Sequence, residues 1–409
     1  MTYPIRPIQP AEWPAFNHVL EEAFGWNPHP AQLERNRAIT ELDRTLAAFD
    51  GATIAGVTSI ISLTMTIPGG QLPVAGVTAV SVLPSHRRRG VLSSLMRRQL
   101  ADIRDRGEAV AALYASESLI YGRYGYGRAA GELSFRIDTH RAAFAPGAPQ
   151  DPSLRLRVAR PADVRAEVEK LFASVVAHRP GRYERAVGFW DHVLADEDQA
   201  RRGAGPLRSI LAEDENGVRG YALFRVKSAW DDSGIADGTL LLKELEAADP
   251  AAFALLWRAV LDRDLVTKVE TDGRPVDDPL LALLADQRQV RARWIDELWV
   301  RLVEVDRALT ERAYAAPVDV VIEVEDDVCP WNARRWRLTA DLTGAECKPV
   351  DDEPDVTLPV SALGSAYLGD GTLGERLQAG LLREHSPGTV RRLAAAMSWS
   401  PKPWGGLVF

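Results

Sequence analysis

Apolar residues recur with two different periods in roughly the first 140 residues, and the two periods predict different elements. Residues 13–24 carry apolar side chains mostly at spacings of three or four, which predicts a helix with one buried face. Residues 61–67 alternate strictly between apolar and hydroxylated side chains, which predicts a strand with one buried face. Another strand is predicted at 77–83, followed by an amphipathic helix from Leu92 that Gly107 ends. This order of strands and helix indicates an α/β arrangement.

The middle of the chain follows a segment rich in alanine, proline and glycine. That segment, residues 142–152, is interpreted as a linker. Two strands then flank a turn at residues 214–217, and a further strand precedes a helix at 250–263. Because this succession resembles that of residues 46–105, we interpret the middle region as a diverged internal duplication.

A third region starts near Leu298 and ends in an apolar tail. The last residue, Phe409, is expected to be tucked against the fold rather than left loose. The predicted domains are therefore 1–145, 150–297 and 298–409. In the third region strands are predicted at 299–305, 318–324, 334–341 and 355–358, and helices at 306–314, 361–368, 373–378 and 388–396.

Composition narrows the class of protein. The 409 residues are 46% hydrophobic and 26% charged, which excludes a disordered or collagen-like chain. The formal net charge of −8 argues against nucleic acid as the main partner and suits cationic ligands. No apolar run of about 18 residues predicts a membrane span, and the first residues lack a signal-peptide pattern, so we expect a cytoplasmic protein. The two cysteines and seven histidines have no metal-binding spacing, and no metal is expected.

The clearest chemical signal lies in residues 80–93, VSVLPSHRRRGVLS. An apolar strand runs into a basic loop with a glycine and then into an amphipathic helix. A helix N-terminus leaves about four backbone N–H groups unpaired and carries roughly half a positive charge. Gly90 allows close approach of a ligand, and three arginines add positive charge. A diphosphate is the predicted guest, and the flanking strand and helix disfavour the alternative of a solvated basic turn.

This segment resembles the acetyl-CoA signature of the GNAT acetyltransferases, Gln/Arg-x-x-Gly-x-Gly/Ala, at Arg87 and Gly90, with Leu92 at the last position. A narrower resemblance is to the Eis (enhanced intracellular survival) family of actinobacterial N-acetyltransferases. It rests on residues 83–90 (LPSHRRRG), on residues 115–127 (ASESLIYGRYGYG) and on the chain ending at Phe409. The resemblance implies two GNAT-type domains in tandem, followed by a sterol-carrier-protein-like α/β domain, assembled as a homohexamer.

The resemblance also implies roles for individual residues. Tyr121 corresponds to the family's general acid, and the carboxylate of Phe409 to its general base. Trp13 and Phe24 correspond to aromatic residues of the acceptor pocket. The positions that correspond to the acetyl-CoA site are Val80, Ser81, Val82, Arg87, Arg88, Arg89, Gly90, Val91, Leu92, Ser93, Ser116 and Glu117.

These roles suit the transfer of an acetyl group from acetyl-CoA to an amine. The acceptor ammonium must lose a proton and the departing thiolate must gain one, so a base and an acid both assist. From the residues alone, four neighbouring tyrosines are candidates for the acid, and only the resemblance selects one of them. The four are Tyr114, Tyr121, Tyr124 and Tyr126.

Three functions remain open at this stage. The first is an acetyl-CoA-dependent N-acetyltransferase that acts on small polycationic amines such as aminoglycosides. The second is acetylation of a protein lysine or a peptide amine. The third is a lipid carrier built on the C-terminal region, and the intact loop from Arg87 to Gly90 argues against it as the main role.

Overall fold

The computed structural model describes residues 3–201 and 203–409, and the chain divides into two compact units. The first unit contains the chain up to Ala130, Arg179–Tyr183 and Asp296–Phe409. The second contains Gly131–His178 and Glu184–Ile295. Each unit is therefore assembled from segments that lie far apart in the sequence.

Strands and helices are numbered along the chain. The strands are β1 (Ile5–Arg6), β2 (Thr45–Asp50), β3 (Thr53–Ile67), β4 (Gly70–Val82), β5 (Val110–Tyr114), β6 (Gly127–Arg128), β7 (Gly131–Asp138), β8 (Arg155–Ala159), β9 (Arg208–Asp214), β10 (Gly217–Lys227), β11 (Gly238–Ala247), β12 (Val266–Pro275), β13 (Arg293–Asp296), β14 (Leu298–Leu302), β15 (Val318–Glu325), β16 (Arg335–Ala340), β17 (Ala345–Pro349), β18 (Val356–Pro359) and β19 (Arg383–Glu384). The helices are α1 (Trp13–Phe24), α2 (Pro30–Ile39), α3 (Val91–Asp105), α4 (Ser118–Tyr121), α5 (Arg165–Val175), α6 (Val187–Val193), α7 (Pro250–Leu261), α8 (Leu280–Leu283), α9 (Val305–Glu311), α10 (Val360–Ala366), α11 (Leu373–Gln378) and α12 (Thr389–Met397).

The first sheet has the strand order β1-β2-β3-β4-β5-β14-β6. A long antiparallel hairpin, β3 and β4, turns at Gly69, whose φ of 85° lies in the left-handed region. The helix α3 then connects β4 to β5, which lie parallel, as a helical crossover allows. Met96 and Leu100 on α3 belong to the same buried cluster as Ala75 and Val77 on β4. The predicted helix at 13–24 and the predicted helix after the basic loop are both confirmed.

Two strands lie in sheets that the predicted domain ranges do not assign to them. The sequence places a strand at 299–305 in the third region, but Leu298–Leu302 lies between β5 and β6 in the first sheet. Strand β7 and the predicted linker belong to the second unit, where the Ala145 N–H donates to the Leu283 carbonyl over 2.8 Å. The compact units therefore differ from the ranges 1–145, 150–297 and 298–409, because strand neighbours depend on long-range packing that local periodicity does not encode.

The second sheet has the strand order β13-β7-β12-β11-β10-β9-β8. The predicted hairpin forms β9 and β10, and the predicted helix forms α7, which connects β11 to the parallel strand β12. Trp257 on α7 is fully buried, and its ring lies 6.5 Å from that of Phe135 on β7. The hairpin, strand, helix and parallel strand repeat the order of the first sheet, as the duplication predicts.

The third sheet, β17-β16-β15-β18-β19, belongs to the first unit. The predicted strands at 318–324, 334–341 and 355–358 and the predicted helix at 373–378 are confirmed. Arg312 is buried here, and it donates to the carbonyls of Ala366 and Tyr367 at the end of α10 and of Met397 at the end of α12. A buried guanidinium that binds helix carbonyls is suited to joining helices rather than to holding a lipid tail.

Candidate active site

The parallel strands β4 and β5 pair only at the first part of β5. The register joins Ala75 to Ala111 and Gly76 to Ala112, and no later pair follows among the described residues. Beyond this point β4 carries a bulge near Ala79, whose φ is 55°. The three predicted positions of β4 all follow this bulge: Val80 and Val82 are half-buried, and Ser81 is buried. The strands therefore separate at positions that the family resemblance assigns to the acetyl-CoA site.

The basic loop leads directly to the N-terminus of α3. Arg87, Arg88, Arg89 and Gly90 are all exposed. Gly90 precedes the first residue of the helix with a φ of 81°, and no side chain caps this end. A Cβ added at Gly90 would meet no atom within 4 Å, so the space there is open. An open, uncapped helix N-terminus beside three arginines fits the predicted diphosphate group.

The remaining loop positions lie in the first turn of α3. Val91 is buried, and Leu92 packs against the cluster that contains Tyr121. The Ser93 hydroxyl lies 3.0 Å from that of Tyr124. Since these side chains are engaged in packing or hydrogen bonding, their backbone N–H groups are the parts suited to an anion.

Tyr121 ends α4, a single helical turn that follows β5. Its side chain is 4% exposed, and Ser116 and Glu117, which are exposed, precede that turn. Burial, with a smaller contribution from the Glu117 carboxylate, raises the pKa of Tyr121 to about 12, and a hydrogen bond with the Ser116 side chain works in the opposite direction. The phenol is therefore protonated at neutral pH and available as a hydrogen-bond donor.

Tyr124 and Tyr126 are as buried as Tyr121, so burial alone does not distinguish these three tyrosines. Tyr126 packs edge-on against Tyr121 with ring centroids 6.0 Å apart, and burial raises the Tyr126 pKa. The Tyr126 hydroxyl has no hydrogen-bond partner among the described residues. Tyr124 binds Ser93, as noted above, and Tyr114 is half-buried at the end of β5. Tyr124 and Tyr126 therefore both contribute to the core of the first unit.

Phe409 lies at the same pair of strands. A Cβ added at Gly76 on β4 would lie 3.0 Å from Cε2 of Phe409. The Phe409 ring also packs edge-on against Tyr114 and Tyr183, with centroids 5.2 and 5.4 Å away. The expected burial of the tail is thus confirmed in part, since Phe409 is half-buried. Tyr121 belongs to the buried cluster that includes Ala75, so two residues distant in sequence lie by the same strands.

Sequence reasoning missed three groups that hold the tail near β5. Tyr183, which is 1% exposed, comes from the short segment Arg179–Tyr183 and touches the Phe409 ring. The Trp404 N–H donates to the Pro180 carbonyl over 2.9 Å. Glu297 accepts hydrogen bonds from the backbone of the tail. None of these residues stands in a motif or a periodic pattern, so the sequence offered no signal for them.

Trp13 and Phe24 lie at opposite ends of α1. Trp13 is half-buried and stacks on Phe16 with centroids 5.5 Å apart, whereas Phe24 is 52% exposed. Eleven residues of helix place the two about 16 Å apart along the axis and on nearly the same face. The structure therefore does not bring them into one small pocket, and Trp13 is partly a packing residue.

The described part of the chain contains neither a metal-binding cluster nor a helix suited to a membrane. No group of three or more His, Cys, Asp or Glu side chains in residues 3–201 and 203–409 is arranged to hold a metal ion. No described helix is both long enough and apolar enough to cross a bilayer.

Family models match three successive parts of the chain. Residues 4–129 match an acetyltransferase (GNAT) domain, and residues 181–302 match a second model of the same description. Residues 305–406 match a sterol carrier protein domain. The predicted fold class, two GNAT domains followed by a sterol-carrier-like domain, is thereby confirmed.

Relatives match over nearly the full length. An uncharacterized N-acetyltransferase of Streptomyces avermitilis is 44% identical over 99% of this chain and 99% of its own length. The N-acetyltransferase Eis of Mycobacterium tuberculosis is 33% identical over 95% of this chain and 94% of its own length. The chain belongs to the Eis family of N-acetyltransferases. The sequence resemblance to that family is confirmed, and the protein is an acetyltransferase.

A solved structure agrees with this family membership. Eis1 from Mycobacterium abscessus is 34% identical to this Eis-family protein, with a TM-score of 0.84 over 99% of this chain and 100% of that one. GNAT acetyltransferases as a class use acetyl-CoA. The uncapped basic loop lies within the first GNAT match, which covers the residues of β4 and α3.

Proposed function

We propose that this Eis-family enzyme transfers the acetyl group of acetyl-CoA to amines of small polycationic acceptors, with aminoglycosides as the first class to test. The amine nitrogen attacks the thioester carbonyl carbon and the C–S bond breaks. The Phe409 carboxylate takes the amine proton, and the Tyr121 phenol donates to the departing sulfur. The scheme needs no metal and no covalent enzyme intermediate.

One observation supports this proposal above the others. The Phe409 ring lies against Gly76, where β4 and β5 stop pairing, and Tyr121 belongs to the buried cluster that includes Ala75 of β4 and Leu113 of β5. Val82, on the separated part of β4, packs against the cluster that contains Val91, the first residue of α3. A thioester held by the loop and the separated strand would have an acid and a base within one region. The formal net charge of −8 favours cationic acceptors.

The state of Tyr121 constrains how it assists. Its pKa of about 12 exceeds the value near 8.5 of an alkyl thiol, so complete proton transfer to the thiolate is uphill. The phenol therefore stabilises the developing thiolate by donating a hydrogen bond, and solvent completes the protonation. A positioned donor of this kind contributes about 10²–10⁴-fold to a rate.

The decisive experiment is a continuous assay of thiol release from acetyl-CoA, using untagged protein. The acceptors are a panel of aminoglycosides, polyamines and a lysine peptide. Tyr121→Phe and deletion of Phe409 should each lower kcat by about tenfold or more, because each removes a group that acts on the reacting atoms. Tyr126→Phe is the matched control, since it removes a buried hydroxyl of the same loop that has no partner among the described residues.

The outcomes separate the candidate functions. Release that exceeds one equivalent per aminoglycoside supports the proposal and indicates acetylation at several amines. Near-normal turnover in both variants would contradict the assigned acid and base. Release only with the lysine peptide would favour a protein acetyltransferase, and lipid that co-purifies without any acetyl-CoA binding would favour a carrier.

Two further expectations of the family resemblance accompany this proposal. We propose a homohexameric assembly and a cytoplasmic location. Sedimentation analysis and cell fractionation are the measurements that test them.

A further inference from the structure

We propose that Glu297 is a positioning residue for the carboxylate of Phe409, and that it acts by binding the backbone of the C-terminal tail. The inference rests on the proposed role of Phe409 as the general base. Glu297 itself contacts neither the substrate nor the reacting atoms. Its function is to fix the chain four residues before the carboxylate.

The contacts of Glu297 are directed at two successive backbone N–H groups. The residue is 4% exposed. Its Oε1 accepts from the N–H of Gly406 over 2.7 Å and from that of Gly405 over 3.1 Å, and Oε2 accepts from Gly405 over 3.1 Å. Gly406 has a φ of 66°, and a left-handed residue lets consecutive N–H groups converge on one anion. The carboxylate is thus bound as an anion would be in a backbone nest.

The two glycines are required at these positions for steric reasons. A Cβ added at Gly405 would lie 2.2 Å from the Tyr114 hydroxyl oxygen and 3.2 Å from Oε1 of Glu297. At Gly406 a side chain would be strained by the positive φ and would meet the Trp404 ring at 2.8 Å. The backbone therefore passes closely between Tyr114 and Glu297, and its path there has little freedom.

Glu297 is itself fixed by the first sheet. Its N–H donates to the Ala130 carbonyl over 3.1 Å, and the next residue, Leu298, opens β14 and pairs with Tyr114 on β5. Tyr114 is also the residue whose ring packs against Phe409. Glu297 therefore binds the tail at Gly405, and Tyr114 contacts it at Phe409. Both contacts come from the paired strands β5 and β14 or the residue next to them.

The part of the tail before Gly405 has separate anchors. The guanidinium of Arg179 donates to the Lys402 carbonyl over 2.5 Å, and the Trp404 N–H donates to Pro180. The Arg182 guanidinium lies over the Trp404 ring at 4.6 Å. Because these contacts hold the tail as far as Trp404, we expect removal of the Glu297 carboxylate to loosen chiefly the last five residues.

The test combines kinetics with a direct measure of tail mobility. Glu297→Ala should lower kcat with the best acceptor by about tenfold, while KM for acetyl-CoA stays within about twofold. Glu297→Gln should restore part of the rate, since one amide oxygen can accept from both N–H groups as Oε1 does. Carboxypeptidase should remove the last residues of the Ala variant about tenfold faster than those of the unaltered protein. Glu304→Ala is the control, because this carboxylate lies just beyond the other end of β14 and pairs with Arg104 and Arg307.

A double variant separates this inference from the proposed function. In protein that lacks Phe409, Glu297→Ala should cause no further loss beyond about twofold, because the group it positions is gone. An equal loss in both backgrounds would assign Glu297 a general structural role and overturn the inference. Normal turnover of Glu297→Ala would also overturn the inference. If the Phe409 deletion is slow at the same time, the proposed function is still supported. If deletion of Phe409 itself has no effect, the proposed base and its positioning fall together.

Discussion

The two GNAT-type regions share an order of elements but differ at the two places where the first is proposed to bind acetyl-CoA. In the first region α3 begins at Gly90 with no side-chain cap. In the second, the equivalent helix α7 begins after Asp249, whose Oδ1 accepts from the N–H groups of Ala251 and Ala252, each over 3.0 Å. A carboxylate thus occupies the position where the first region offers bare N–H groups to an anion.

The two regions also differ in what lies between their separated strands. In the second region β11 and β12 pair in parallel from Gly238 to Leu242 and then part, as β4 and β5 do. There the Arg274 side chain, itself 4% exposed, donates to the Leu245 carbonyl over 3.2 Å and binds Asp278 over 2.7 Å. In the first region Val80 and Val82, on the part of β4 that separates from β5, are apolar and half-buried.

The comparison teaches that topology sets the place of a site and a few side chains decide its use. Both regions have a helix N-terminus beside a strand that parts from its neighbour. In the second region the Asp249 side chain accepts from the N–H groups at the start of the helix, and Arg274 binds a backbone carbonyl between the strands. Both differences between the regions can be tested by substitution.

The largest expected effect concerns the buried pair of the second region. Arg274→Met leaves the Asp278 carboxylate, which is 2% exposed, without its guanidinium. Removing one member of a buried ion pair costs about 3–5 kcal/mol, so the free energy of unfolding should fall by that amount. Chemical denaturation measures it, and KM for acetyl-CoA should not change. Arg274→Met combined with Asp278→Asn should recover much of the loss; a stable single variant would break the comparison.

The second effect comes from giving the first region the cap of the second. Gly90→Asp places a carboxylate at the open end of α3, where it repels a diphosphate and fills its approach. We expect KM for acetyl-CoA to rise about 100-fold, since like charges in contact cost several kcal/mol. Gly147→Asp is the matched control, because Gly147 has a φ of 83° and equally open surroundings. Equal KM values for the two variants would show that the loop does not bind the diphosphate.

A smaller effect is expected from the cap of the second region. Asp249→Ala removes the side chain that accepts from Ala251 and Ala252, which costs about 1 kcal/mol of stability. The melting temperature should fall by about 2–4 °C, with turnover unchanged. Asp249→Asn keeps an acceptor and should restore most of the loss. Loss of turnover in Asp249→Ala would indicate that the second region takes part in acetyl transfer.

The smallest expected effect concerns the pH dependence of the rate: Tyr121 should cause no fall in rate on the alkaline side of the pH profile. A buried phenol with a raised pKa keeps its proton to higher pH, and its loss of function would begin only near pH 12. The rate should therefore rise with pH as the acceptor amine deprotonates, without a fall up to about pH 10. A fall near pH 10 that disappears in Tyr121→Phe would contradict the raised pKa. Glu117→Gln should lower the Tyr121 pKa, because it removes a nearby negative charge.

Local patterns were sufficient where local forces decide the structure. The helix at residues 13–24 and the helix after Gly90 were predicted because one face of each is apolar, and Gly90 and Gly107 flank the second of them. The basic loop was found because a strand, three arginines, a glycine and a helix stand in direct succession. The choice of Tyr121 came from the family resemblance, since four tyrosines stand within 13 residues of one another in the sequence.

Long-range arrangements were out of reach of the sequence. The pattern LWVRL at Leu298–Leu302 predicts a strand, but not that its neighbours are β5 and β6. Tyr183 and Glu297 each contact the tail, and neither residue belongs to a periodic apolar face. Their positions follow from the packing of distant segments, so only the folded chain reveals them.

The place of β14 has a consequence for how the protein is made. The ribosome delivers β5 and β6 long before Leu298–Leu302, yet β14 lies between them. Until β14 is synthesised, the first sheet lacks the strand between β5 and β6. The pairing that completes the sheet has a high contact order and is correspondingly slow. A nascent chain at this stage exposes unpaired strand edges, which are prone to aggregation and are the surfaces that chaperones bind. The basic loop at residues 87–90 is therefore synthesised well before the strand that completes its sheet.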